Sequence, residues 1–153
     1  MTASHPRPQF GEPRPGLSYR NRPSAYGIVL REGEIALVRV TLSDKAPFHD
    51  LPGGGVDEGE SEADGLVREF GEETGLIVRA GRLIARADQY MVSAHGEPFN
   101  SHGAFFETFA VDVDAKLKIE DNHELVWATA HGALRLLRHD SHAWAVTAWL
   151  RKS

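Results

Sequence analysis

Residues 54–76 read GGVDEGESEADGLVREFGEETGL, and no other stretch constrains the chain as tightly. Ala63, Leu66, Val67, Phe70 and Thr74 recur at i, i+3, i+4, i+7 spacing. This predicts a helix from about 61 to 74 that stops at Gly75, where a helix C-cap usually sits. At about 100° per residue the apolar positions gather on one face, while Glu69, Glu72 and Glu73 gather on another. Such a helix is costly on its own terms. Three carboxylates at i, i+3 and i+4 repel by about a few tenths of a kcal/mol per close pair. Glu72 and Glu73 also oppose the helix dipole near its C-terminal end. Gly65 and Gly71 in the interior cost roughly 1 kcal/mol each relative to alanine. A divalent cation resolves the conflict, and an all-oxygen donor set suits Mg²⁺ or Mn²⁺. The bland alternative is a solvated acidic face. Against it stand the glycine loop ahead of the helix, which lets backbone approach a ligand, and Arg68, a cation beside the carboxylates.

The rest of the composition narrows the class. The chain has 153 residues, 41% hydrophobic and 25% charged, which suits a single soluble domain with a proper core. With no cysteine there is no disulfide, thiolate metal site or thiol nucleophile. The net charge of −5 argues against duplex nucleic acid as a partner, though not against a nucleotide. No stretch approaches the roughly 20 apolar residues of a membrane span, and MTASHPRPQF carries no apolar core of the signal-peptide kind. The expectation is a cytoplasmic protein without a membrane partner.

Five prolines, Pro6, Pro8, Pro13, Pro15 and Pro23, fall in the first 23 residues. Proline fixes φ and removes a donor, so residues 1–23 are expected to form an extended or disordered arm. The arm is expected to pack along the domain, to bridge a homodimer by packing against a partner subunit, or to be an ordinary loose terminus. Residues 24–153 are expected to form one domain. AYGIVL (25–30) and EIALVRV (34–40) read as a hairpin turning at Arg31-Glu32-Gly33. A loop with Pro47 follows, then LPGGGV (51–56). After the helix come strand-like runs near 76–78, 83–91, 104–113 and 124–128, and helical segments near 131–138 and 141–151. Strands and helices interleave, so the fold class is α/β.

Residues 54–76 also resemble the Nudix box, G-x5-E-x7-R-E-U-x-E-E-x-G-U with U apolar. Gly54, Glu60, Arg68, Glu69, Phe70, Glu72, Glu73, Gly75 and Leu76 fill every fixed position, and LPGG (51–54) is similar to the family's approach to the box. The resemblance implies a mixed β-sheet sandwiched between α-helices, with the box as a loop–helix–loop. It also implies hydrolysis of a nucleoside diphosphate linked to another group, by water attacking one phosphorus. That reaction needs charge neutralised on the diphosphate, an activated water and an oriented leaving group.

By the same resemblance Glu69, Glu72 and Glu73 match metal-binding glutamates, and the Gly53 carbonyl is a further ligand. Glu69 is also a candidate to hold or deprotonate the attacking water, a role that varies in the family. Arg68 and Glu60 pair to tie the loop to the helix and orient the carboxylates; the bland reading of Glu60 is a helix-start carboxylate. Many family members supply one more glutamate ahead of an apolar-x-Trp segment. Glu124 in Glu124-Leu125-Val126-Trp127 fits, with Glu120 as second choice and a surface carboxylate as the alternative. Of the eight histidines, His139 and His142 are three apart but form no HExxH. His49, His95, His102 and His123 fall at loops or strand ends, where one could touch substrate or serve as base. Arg20, Arg22, Arg39 and Lys45 are candidates for the substrate's phosphates, and the sequence does not select among them.

Subfamily marks downstream of the box are missing. Met91 and Val92 stand where many ADP-ribose hydrolases have proline. Ala94 stands where hydrolases of dinucleoside polyphosphates have tyrosine, and the NADH-type SQPWPFPxS is absent. Elimination favours MutT-like hydrolysis of a nucleoside triphosphate, with nucleotide sugars and ADP-ribose as alternatives. The isopentenyl diphosphate isomerases that share the fold use a cysteine this chain lacks. A non-catalytic nucleotide sensor would not need the intact glutamates.

Overall fold

The computed structural model describes residues 7–93 and 95–152, so the readings of Pro6 and Ala94 lie outside the described residues. The chain runs β1 (Gln9–Phe10), β2 (Arg20–Arg31), β3 (Glu34–Val40), β4 (Phe48–Asp50), β5 (Gly53–Gly55), α1 (Glu62–Thr74), β6 (Leu76–Val92), β7 (Pro98–Val113), a 3₁₀ turn (Ala115–Leu117), β8 (His123–Ala128), α2 (Ala130–Leu136) and α3 (Asp140–Arg151). The strands hydrogen-bond in the order β1-β6-β7-β2-β3-β4, with β5 added to β2 and β8 to β3.

β2 is the spine. One edge runs parallel to β7, from Arg20 opposite Phe99 to Val29 opposite Thr108. The other edge is shared. Ser24, Ala25 and Tyr26 pair antiparallel with Gly55, Gly54 and Gly53, and Leu30 and Arg31 then turn back into β3. Glu32 (φ 51°) and Gly33 (φ 81°) both take left-handed backbone at that turn, which matches the twist of a two-residue hairpin. β3 carries β4 on one edge and β8 on the other.

Period-two alternation along β2 builds two cores. Ala25 and Val29 pack with Leu66 and Phe70 of α1 on one face. Tyr26 and Ile28 pack with Ala133 of α2 and with Ala145, Val146 and Trp149 of α3 on the other. The sheet is thus sandwiched between α1 and the α2–α3 pair. Burying Leu66 and Phe70 contributes roughly 2 kcal/mol each, which holds α1 against the sheet despite its charge. At Gly27 a Cβ would run into Thr108 Oγ1 and Phe70 Cε2, so glycine lets the Phe70 ring rest on β2.

Several elements run longer than the sequence pattern predicts. β2 starts at Arg20, ahead of the apolar run, because its backbone is already matched to Phe99 and its neighbours in β7. The two predicted strands near 76–78 and 83–91 are one strand, β6, whose register against β7 shifts at Ile77/Val78 and around Ala80–Ala85. The described residues of the proline-rich arm pack along their own domain. Gln9 and Phe10 pair parallel with Asp88 and Gln89, and Arg7 reaches Asp88 at 3.0 Å. Among the described residues no helix is long and apolar enough to cross a membrane.

Candidate active site

α1 begins where Ser61 caps it, its hydroxyl accepting from Asp64 N at 3.0 Å. It ends at Gly75 (φ 78°), whose N–H donates to the Gly71 carbonyl. The interior glycines give close approach in exchange for helix propensity. A Cβ on Gly65 would stand 3.0 Å from Glu60 Oε1 and 3.2 Å from Val56, and one on Gly71 would meet Leu117 at 3.4 Å.

Arg68 organises the box. Its Nε and Nη2 donate to both oxygens of Glu60, at 2.9 and 3.0 Å. Nη2 also donates to the Gly55 carbonyl at 2.9 Å. Nη1 reaches Glu69 at 3.1 Å and Glu72 at 3.3 Å. The guanidinium therefore ties the loop to the helix and draws two of the three carboxylates together. Glu60 is pulled down to about 2, chiefly by its hydrogen bonds with Arg68 and with Asp57 N–H. Burial pushes Glu69 above the usual carboxylate range, against the pull of Arg68.

Glu73 differs from its two neighbours. It is buried, on the margin between the acidic and core faces, while Val67 at the opposite margin is exposed. Its Oε1 accepts from Gly53 N–H at 2.9 Å, and its Oε2 faces His123 Nε2 at 3.2 Å. Burial pushes its pKa up to about 7. Two glycines let the loop run close between β2 and this helix. Gly53 has φ 140° and a Cβ there would strike Ala25 O, while a Cβ on Gly54 would lie 2.8 Å from Glu69 Cδ.

The structure brings together Gly53, Glu60, Arg68, Glu69, Glu72 and Glu73, and leaves Glu124 apart. Leu125 and Trp127 pack into the layer under α1 whereas Val126 and Ala128 pack into the opposite layer. Alternation therefore turns Glu124 to the opposite face, where it is largely exposed and 3.8 Å from Arg39. Glu120 is the carboxylate that stands near: its charge acts on both Glu69 and His123, and its N–H donates to the Glu72 carbonyl at 3.0 Å. Among the described residues no three histidine or acidic side chains converge as a ready metal centre. The carboxylates instead face the chain's own cations and donors.

A family model described as the NUDIX domain matches residues 20–150. The chain belongs to the Nudix family. It is 32% identical over 109 residues to a CTP pyrophosphohydrolase of Escherichia coli, covering 71% of this chain and 76% of that protein. It is 33% identical over 97 residues to YjhB of Bacillus subtilis, whose name offers an ADP-ribose pyrophosphatase activity. That match covers 63% of this chain and only 45% of the relative. Among solved structures, a Nudix hydrolase from Nitrosomonas europaea superposes with a TM-score of 0.73 at 17% identity, over 87% of this chain and 90% of that one. A MutT protein from Methanosarcina mazei gives 0.65 at 24%, over 90% and 98%. Both show the same fold.

Beside this Nudix helix, His123 also lines a cleft of about 200 Å³. Arg22, Lys45, Phe48, Phe99 and Arg138 form its walls. Arg22 lies over the Phe99 ring at 5.6 Å and against Gly55, where a Cβ would strike its guanidinium. Of the four cations the sequence left unselected, Arg22 and Lys45 enter this cleft. Arg20 instead faces Glu97 at 3.8 Å and Arg39 faces Glu124.

Arg138 forks onto Asp50, both bonds 3.0 Å, and stacks on Phe48 at 3.6 Å. Behind Asp50, burial pushes His139 down to about 4 and His142 to about 3. Both rings are neutral near pH 7, so this cluster holds one ion pair and no free charge. Sequence reasoning did not single out His123. Its signal was strand alternation: a histidine two and four residues ahead of apolar Leu125 and Trp127 shares their face.

Proposed function

We propose that this chain is a pyrophosphohydrolase that cleaves the diphosphate linkage of a nucleotide with Mg²⁺ or Mn²⁺, a nucleoside triphosphate being the favoured substrate. The observation that carries the reading is the juxtaposition of the box carboxylates with a cleft lined by Arg22, Lys45, Phe48 and Phe99. Cations there suit phosphates, and the aromatic rings suit a base. The resemblance to a CTP pyrophosphohydrolase over 71% of the chain supports the triphosphate class.

The residues fit a divalent ion. Glu69, Glu72 and Glu73 offer oxygen only, as hard cations require, and Gly54 leaves open the space beside Glu69 that a Cβ would fill. In this reading these three glutamates and the Gly53 carbonyl hold the ion, with Glu120 in the place first given to Glu124. The ion supplies charge neutralisation on the diphosphate and lowers the pKa of bound water. The chain's own part is positional. Arg68 and Glu60 keep the loop on the helix, so the carboxylates keep their separation. Arg22, unopposed by any carboxylate among the described residues, takes substrate phosphate beside Gly55. Glu69, desolvated and raised, is placed to hold or deprotonate the attacking water.

The test is phosphate release, coupled to a phosphatase or pyrophosphatase, from nucleoside triphosphates, ADP-ribose, nucleotide sugars and dinucleoside polyphosphates with Mg²⁺. One substrate class hydrolysed well, with Glu73→Gln nearly inactive, is the expected result. Nucleotide-induced stabilisation without any turnover would instead make the chain a binding protein.

A further inference from the structure

Glu73 is held at both carboxylate oxygens, and the second hold comes from outside the box. Gly53 N–H donates to Oε1 at 2.9 Å, and His123 Nε2 stands 3.2 Å from Oε2. The ring is fixed from its far side, where Nδ1 lies 2.8 Å from Asn122 Oδ1. The segment that delivers both residues is itself anchored on the helix end that carries Glu73. Ile119 N and Glu120 N both donate to the Glu72 carbonyl at 3.0 Å, and His123 N donates to Glu120 O at 3.1 Å. On the strand side, Asn122 O accepts from Thr41 N at 3.0 Å. Helix, turn, ring and carboxylate thus close a loop of hydrogen bonds around one carboxylate.

We propose that Asn122 and His123 form a positioning arm of the Nudix centre, in which His123, oriented by Asn122, holds the Glu73 carboxylate in the orientation that ion binding uses. The proposal rests on the reading of Glu73 as an ion ligand. A carboxylate free to rotate would have to be reordered each time an ion bound. Outer hydrogen-bond partners of ligating groups typically set metal affinity or activity by about 10- to 100-fold. Burial sharpens the need, because a Glu73 oxygen left without a donor has little water to turn to.

The test is Mg²⁺ titration of the full chain by calorimetry and by the rise of Tm, alongside kcat and KM for the best nucleotide. His123→Ala is expected to weaken Mg²⁺ binding by roughly 10- to 100-fold. His123→Gln, whose amide still donates but carries no charge, is expected to recover most of the loss. Asn122→Ala is expected to weaken Mg²⁺ binding in the same direction by less. Unchanged Mg²⁺ affinity in His123→Ala overturns the proposal, and so does tighter binding, which would make the imidazole a competitor for Oε2. A lower Tm with wild-type Mg²⁺ affinity also overturns it, since the ring would then be structural. Glu73→Gln separates the two levels. Wild-type Mg²⁺ binding in that variant removes the ligand reading and the arm with it. Abolished binding there, with His123→Ala normal, removes the arm alone.

Discussion

Burial resists ionisation of a carboxyl group, and at Glu73 it lifts the folded value from 4.5 to about 7. Between those two values the folded chain keeps a proton that the unfolded chain has lost, so stability falls as pH rises through that window. In full the effect is on the order of 3 kcal/mol. Burial disfavours the charged form of His123, but its pairing with Glu73 outweighs that and raises it above 6.5. Its contribution is therefore present below that value and lost as pH rises through the folded one, in the same direction. With the ion chelated, Tm is expected to fall between about pH 5 and pH 8. Glu73→Gln should flatten that slope and raise Tm at the upper end while nearly abolishing turnover. Calorimetry across pH checks this; an equally steep slope in the variant would assign it to other groups. The three glutamates and Arg68 were legible because one helix carries them at fixed spacing. The burial of Glu73 was legible in principle, lying only about 20° from Leu66 on the helical wheel. What one helix could not show was the other side of the site. Glu120 and His123 come from a turn some fifty residues on, and only packing brings them to α1.

The box works as an element because the loop preceding α1 is built to touch it. Gly54 takes ordinary backbone dihedrals, unlike Gly53 at φ 140°, so alanine is conformationally admissible there. Its Cβ would nevertheless lie 2.8 Å from Glu69 Cδ and 2.9 Å from Oε2. Gly54→Ala is therefore expected to displace the carboxylate and lower kcat by roughly 10- to 100-fold. Tm should move only a few degrees. Steady-state kinetics beside a melting curve distinguishes this from general unfolding; a matching loss of stability would make Gly54 a fold residue. This segment also marks where element prediction stops. Gly53–Gly55 is a strand without side-chain alternation, recognisable only by its pairing with β2. The first residues of β7, PFNSHG, also lack an apolar run and are held by pairing with β2 and β6. β6 reads as two pieces because its register slips around Gly81, where a Cβ would stand 2.9 Å from Glu107 O.

At the scale of the whole molecule, the chain closes one edge of its sheet with its own N-terminal arm. Composition predicted an extended or disordered arm, but not where it would dock. The partners are scattered over distant strands and α3. Gln9 exchanges two side-chain hydrogen bonds of 3.0 Å with Asn100, a buried residue. Phe10 lies 6.0 Å from Trp144 between ring centroids, and Pro8 O accepts from Asp88 N at 2.8 Å. Deleting residues through Phe10 leaves the Asn100 amide without a partner, at about 1–3 kcal/mol, and removes the Phe10 contact. Together these should lower Tm by roughly 5–15 °C. None of the described arm residues up to Phe10 touches the box carboxylates or lines the cleft with Arg22 and Lys45. So kcat and KM are expected to hold below the new melting point. Differential scanning fluorimetry with kinetics at a low temperature reads both quantities. A loss of kcat at unchanged Tm would place the arm in the chemistry. A loss of Tm alone shows it acting as the strand that completes the sheet, holding steady from outside the surface on which the box helix rests.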